Sequence, residues 1–149
     1  MTHERGAGAR HLARELLIKA LYQWQIANHS VAEISAQFAA HEDFERSDRY
    51  FFGQLLAVTI EDVPALDVVI ARQATRGIEQ LDAVARAILL LGLAELKFRD
   101  DVPSKVVINE AVELAKRYGP AESYKFVNAV LDKSSRELRG AAAKSGSEP

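Results

Sequence analysis

The chain predicts an all-α protein of about seven helices in two small lobes, on three grounds. Apolar residues recur at helical spacing in each patterned stretch, as Leu16, Leu17, Leu21 and Trp24 do near the front and Val107, Ala111, Leu114 and Ala115 do later. Helix punctuation is present as well: Ser30 and Glu33 have capping-box spacing, and Gly119 followed by Pro120 stops one helix and starts the next. The 149 residues, 48% hydrophobic and 27% charged, suffice for one domain or two small lobes that bury a core.

Residues 1–9 carry two glycines and no apolar pattern, so a mobile arm is expected there. A first helix follows from Ala9 to about Ala27, its buried side made by Ala13, Leu16, Leu17, Ala20, Leu21 and Trp24. Arg10 and Arg14, four apart, sit together at the edge of that side, and His11, Ile18 and Tyr22 form an adjacent strip. The capping box at Ser30 opens a second helix through Phe38. His41 to Asp48 is charge-dense and reads as a solvated connection.

Tyr50 to Ile60 forms a third helix with Phe51, Phe52, Leu55, Leu56, Val58 and Thr59 at helical spacing. Pro64 ends it or opens a fourth, which turns Leu66, Val69 and Ile70 inward. The lobe boundary is placed here, giving lobes of 10–62 and 63–139. Asp82 caps a fifth helix through Lys97, with Val84, Ile88, Leu91 and Leu93 to Leu96 leaving little polar face; consecutive leucines at 89–91 imply neighbours on more than one side. Pro103 opens a sixth helix, whose last turn holds Lys116 and Arg117, where cations suit the helix dipole. The seventh, from Pro120, puts Tyr124, Val127, Val130 and Leu131 on one side and Lys125, Asn128 and Asp132 on the other. Residues 140–149, GAAAKSGSEP, read as a disordered tail.

The function classes narrow quickly. With no cysteine, disulfide staples, thiol nucleophiles and cysteine metal sites are excluded. No leader-like segment opens the chain and no apolar run approaches the ~20 residues that span a bilayer, so a cytoplasmic protein without membrane contact is expected. His3, His11, His29 and His41 are scattered, and HExxH, P-loop and GxSxG patterns are lacking. Gly6 and Gly8 have no preceding strand to make a phosphate loop, and Glu110 with Glu113 reads as a solvent-facing pair. No catalysis, cofactor or metal is expected.

A net charge of −2 speaks against indiscriminate nucleic-acid binding, so any such surface must be local. Candidates are Arg10 and Arg14 at the front and Lys125, Lys133, Arg136 and Arg139 near the end. Phe126 is the other candidate: it falls roughly a right angle from the centre of the apolar stripe of its helix, beside Glu122 and Lys133. Two readings stand. The ring stacks on an unpaired base while its neighbours handle phosphate and base edges, or it covers the rim of the core.

Three segments carry a resemblance: ALYQWQ (20–25), LGLAELKFRDDVPSKVVINEAVELAK (91–116) and YKFVNAVLDK (124–133). Together they resemble the NusB family of bacterial transcription antitermination factors, over most of the chain from Arg10 to about Arg139. A related domain opens some rRNA cytosine methyltransferases, but those need a cofactor-binding domain that this short chain lacks. The resemblance implies two helical bundles packed at an angle. It also implies a protein that pairs with NusE, a small-subunit ribosomal protein, on the box A element of nascent RNA, and helps the RNA polymerase antitermination complex read through terminators, notably in rRNA operons.

Position by position, the resemblance implies that Arg10, His11, Arg14, Lys125, Phe126 and Asn128 lie along RNA, with Tyr22 and Glu122 as neighbours. One segment departs from the family. Where an arginine run is common the chain reads GARHLAR, with His11 and Leu12 interrupting. Each phosphate contact to a single strand contributes roughly 0.7 to the salt slope, so weak RNA affinity is expected for this protein alone, with NusE supplying the rest. A helical protein-interaction module, or a self-associating homodimer, without RNA contact is the alternative.

Overall fold

The computed structural model of the chain describes residues 2–74 and 80–147, with the side chains of 6–74 and 80–140. Among the described residues there are seven α-helices and no strand: α1 (Thr2–Ala27), α2 (Val31–Ala39), α3 (Arg49–Glu61), α4 (Val63–Gln73), α5 (Ala83–Phe98), α6 (Ser104–Tyr118) and α7 (Ser123–Ser147). They form two compact units, Met1–Asp62 and Val63–Pro149.

In the first unit α1, α2 and α3 pack pairwise around Leu16, Leu17, Leu21, Ile34, Phe51, Phe52, Leu55 and Leu56, all nearly inaccessible. The Ser30 hydroxyl accepts from the Glu33 amide at 3.1 Å, and the Glu33 carboxylate accepts from the Ser30 amide at 2.8 Å. This reciprocal cap opens α2, while Asn28, in the left-handed region at φ 58, turns the chain out of α1. Asp48 caps α3 by accepting from the Phe51 amide at 3.0 Å. The Asp48 amide donates to the Ala9 carbonyl at 3.0 Å and ties the start of α3 to α1.

The connection from His41 to Asp48 departs from the expected solvated loop. Phe44 is half-buried with its edge against Phe52 at 5.6 Å, and the His41 ring stacks on Phe38 at 6.1 Å. Two rings spaced among six charged or polar neighbours give no helical periodicity, yet each closes over an aromatic of α2 or α3.

In the second unit α5 is the central element, every residue from Ala87 to Leu96 being buried among α4, α6 and α7. Its Gly92 permits the closest approach: a Cβ there would stand 2.8 Å from a methyl of Leu131 on α7. Arg86 and Asp67 join α5 to α4 through two hydrogen bonds of 3.1 and 2.6 Å.

Arg139 departs from its expected place on a nucleic-acid surface. Its guanidinium donates to the carbonyls of Glu95, Leu96, Arg99 and Val102 and to the Ser104 hydroxyl, at 2.6 to 3.1 Å. The last carbonyls of a helix lack partners within it, and a planar fork of five donors from α7 satisfies several at once.

The helix ends also differ from the expected bounds. α1 starts at Thr2, eight residues before the expected lobe boundary at 10, and α7 continues to Ser147 through most of the expected tail. Once nucleated a helix gains one hydrogen bond per added residue, so alanines at 7, 9 and 141–143 favour its extension. α7 begins at Ser123 and not at Pro120, because the Ser123 amide closes a tight turn onto the Pro120 carbonyl at 3.1 Å.

Candidate nucleic-acid interface

The eight sequence-predicted residues fall into two groups, one in each unit. In the first, Arg10 emerges where α1 meets the start of α3. Its side chain is 34% exposed, its Nε lies 3.3 Å from the Asp48 carboxylate, and its guanidinium carbon stands 4.9 Å over the Phe51 ring. His11 lies beside it, its Nε2 3.8 Å from Glu15, and Tyr22 is 42% exposed further along α1.

Arg14 is not at the edge with Arg10. It is 3% exposed, its guanidinium carbon 5.0 Å over the same Phe51 ring. The reason is axial: four residues advance the helix by about 6 Å, from the rim of the bundle to beneath α3. Asp48 and Phe51 therefore belong to the environment of Arg10, and sequence reading missed both roles. The place of Asp48 before the third apolar run was a local signal for a helix cap that went unread, whereas a pairing across 38 residues leaves no local signal.

In the second unit, α6 ends at Gly119, where a Cβ would stand 2.6 Å from the Ser123 hydroxyl and 2.9 Å from the Ala115 carbonyl. Only glycine lets the chain turn this tightly beneath α7. Glu122 then takes the left-handed region at φ 71, as the third residue of a tight turn often must. Its carboxylate lies 2.5 Å from Lys125 Nζ, an exposed pair one turn apart. Phe126 is half-buried, neither sealed in the core nor open on all sides, and its sequence neighbours Lys125 and Asn128 are exposed. Val127, Val130 and Leu131 turn into the core, so they fix the face on which Phe126 lies. Tyr124 is also half-buried, with Lys116 Nζ 5.1 Å over its ring.

A half-open aromatic on a helix that also exposes a cation and an amide offers stacking, a phosphate partner and base-edge hydrogen bonds. Among the described residues no group of three His, Asp or Glu side chains is placed to hold a metal ion, and no helix is long and apolar enough to cross a membrane.

A family model described as the NusB family matches residues 11–136. The chain belongs to the NusB family. It is 49% identical over 135 residues, 91% of this chain and 90% of the relative, to the transcription antitermination protein NusB of Alcanivorax borkumensis. The fold agrees: a solved T. maritima NusB superposes with a TM-score of 0.75 at 31% identity, covering 86% of this chain and 91% of that one. A second solved structure, described as antitermination factors NusB and NusE in complex with dsRNA, matches with a TM-score of 0.76 at 26% identity over 85% of this chain and 96% of that one. The expected NusB-like all-helical class is thereby met, and the chain is a transcription antitermination factor and not an enzyme.

Proposed function

We propose that this NusB-family protein acts as an RNA-binding adaptor. With NusE it binds the box A element of nascent RNA in the cytoplasm and supports read-through by RNA polymerase, notably in rRNA operons. The observation that carries the reading is Phe126, a ring left partly open on a helix that also exposes Lys125 and Asn128. The solved relative that pairs NusB and NusE with double-stranded RNA supports the choice of partners.

In this reading Phe126 stacks on a base, Asn128 offers its amide to a base edge, and Lys125 exchanges Glu122 for a phosphate. On α1, Arg10 and His11 face phosphates and Tyr22 borders them. Arg14 serves from behind, holding the Phe51 ring on which Arg10 also rests. With a net charge of −2 and few cations on either group, the chain alone holds RNA weakly and NusE supplies the remaining contacts.

Titration of labelled single-stranded box A RNA with the chain, with NusE and with both tests the reading. Tight binding by the mixture and weak binding by either protein alone is expected. If RNA leaves the stability of the chain–NusE pair unchanged, the protein is an interaction module without RNA contact. A duplex arm distinguishes strand preference, and sedimentation of the chain alone reads self-association.

A further inference from the structure

Among the described side chains α7 carries four cations, and three are committed. Lys125 is paired with Glu122, Arg136 with Asp132, and Arg139 is spent on backbone carbonyls and Ser104. Lys133 is exposed, and its side chain has no hydrogen-bond or ion-pair partner among the described residues.

Its position on the helix gives this a direction. Lys133 follows Phe126 by seven residues, about 20° short of two full turns, and so lies on nearly the same line ~10 Å further along α7. Between them Ala129 is small and exposed, while Val130 is 1% exposed and closes the core side. One turn beyond, exposed Glu137 ends the strip with a negative charge. The line thus reads half-open ring, low step, uncommitted cation, anion.

We propose that Lys133 is a phosphate contact that carries the RNA path along α7 from the base stacked on Phe126 toward the C-terminus, stopping short of Glu137. The inference rests on the reading of Phe126 as a stacking residue. A separation of ~10 Å corresponds to roughly three stacked nucleotides at ~3.4 Å each, so the strand bound on this unit extends beyond the base at Phe126. A lysine suits the task as a point charge on a flexible stem, placing no demand on phosphate orientation.

The test is RNA affinity across a salt series for the full chain and its variants, with a labelled single-stranded oligonucleotide. Lys133→Gln should make the slope of log affinity against log salt shallower by about 0.7, roughly a fivefold relative loss for each tenfold drop in salt, and Lys133→Arg should restore it. Arg136→Gln, which also lowers the charge of α7 by one, should move the slope less. An unchanged slope for Lys133→Gln while Phe126→Ala still weakens binding overturns the extended path and leaves the stacking reading standing. If Phe126→Ala is also without effect, the stacking reading falls and Lys133 with it. Equal shifts from Lys133→Gln and Arg136→Gln mean a diffuse charge effect and overturn the assignment.

Discussion

The guanidinium carbon of Arg14 lies 5.0 Å over the ring of Phe51, and both residues are buried. Arg10, one turn nearer the rim, rests on the same ring and keeps about a third of its side chain exposed, 34%. Two arginines of similar sequence context thus have different work. Arg14→Ala should cost about 1–3 kcal/mol of folding free energy through lost packing and the cation–π contact, whereas Arg10→Ala should cost less than about 1 kcal/mol, as rim-exposed ion pairs do. Urea unfolding reads both, and equal losses would show that burial does not separate them.

Phe126 is half-open. Replacement by alanine should weaken RNA binding by about 1–3 kcal/mol, the usual worth of one stacked base, with a smaller effect on stability because part of the ring already faces water. Binding measured per folded molecule decides. A variant that unfolds while its folded fraction binds RNA normally would assign the ring to the core.

Arg139 satisfies four carbonyls near the end of α5 and the start of α6. Arg139→Ala leaves them without this donor and should cost about 2–3 kcal/mol. Arg139→Lys should recover less than half, since one ammonium cannot reproduce a planar fork. Thermal melts of the two variants check this; full recovery by lysine would mean that charge alone matters.

Gly119 is held to glycine by space, because the carbonyl of Ala115 and the hydroxyl of Ser123 stand where a Cβ would go. Gly119→Ala should cost about 1–3 kcal/mol, and since it displaces Ser123 at the first position of α7, it should also shift the amide resonances of Lys125 and Phe126. A variant of unchanged stability would show that the turn relaxes freely.

The capping box holds the Glu33 carboxyl below its ordinary value, chiefly through the Ser30 amide and then the Ser30 hydroxyl, with burial opposing and His29 adding a small favourable contribution. A lowered folded-state value means that the ionised cap stabilises above the ordinary glutamate range and loses that contribution as pH falls through Glu33's own value. A pH series of melts on the parent and Glu33→Gln should show a difference at neutral pH that vanishes in acid. A constant difference across the series would mean that charge is not what the cap uses.

Helix number, order and most inward faces were legible because they depend on short-range facts: the 3.6-residue period, Ser30 with Glu33, Asp82, and Gly119 beside Pro120. The NusB-family kinship was legible in the short segments VPSKVVINEAVELAK and KFVNAVLDK. Phe126 at the border of its stripe followed from angle alone.

What only the tertiary structure decided is which cations are already engaged. Arg10 and Arg14 look alike in sequence until α3 covers one of them, and Lys133 and Arg139, six residues apart on one helix, part ways because the end of α5 comes within reach of Arg139. Helical periodicity records how a residue is oriented about its own axis. Whether a charge faces water or a carbonyl depends on a neighbour 43 residues away, as Leu96 is from Arg139, and no local pattern encodes that distance.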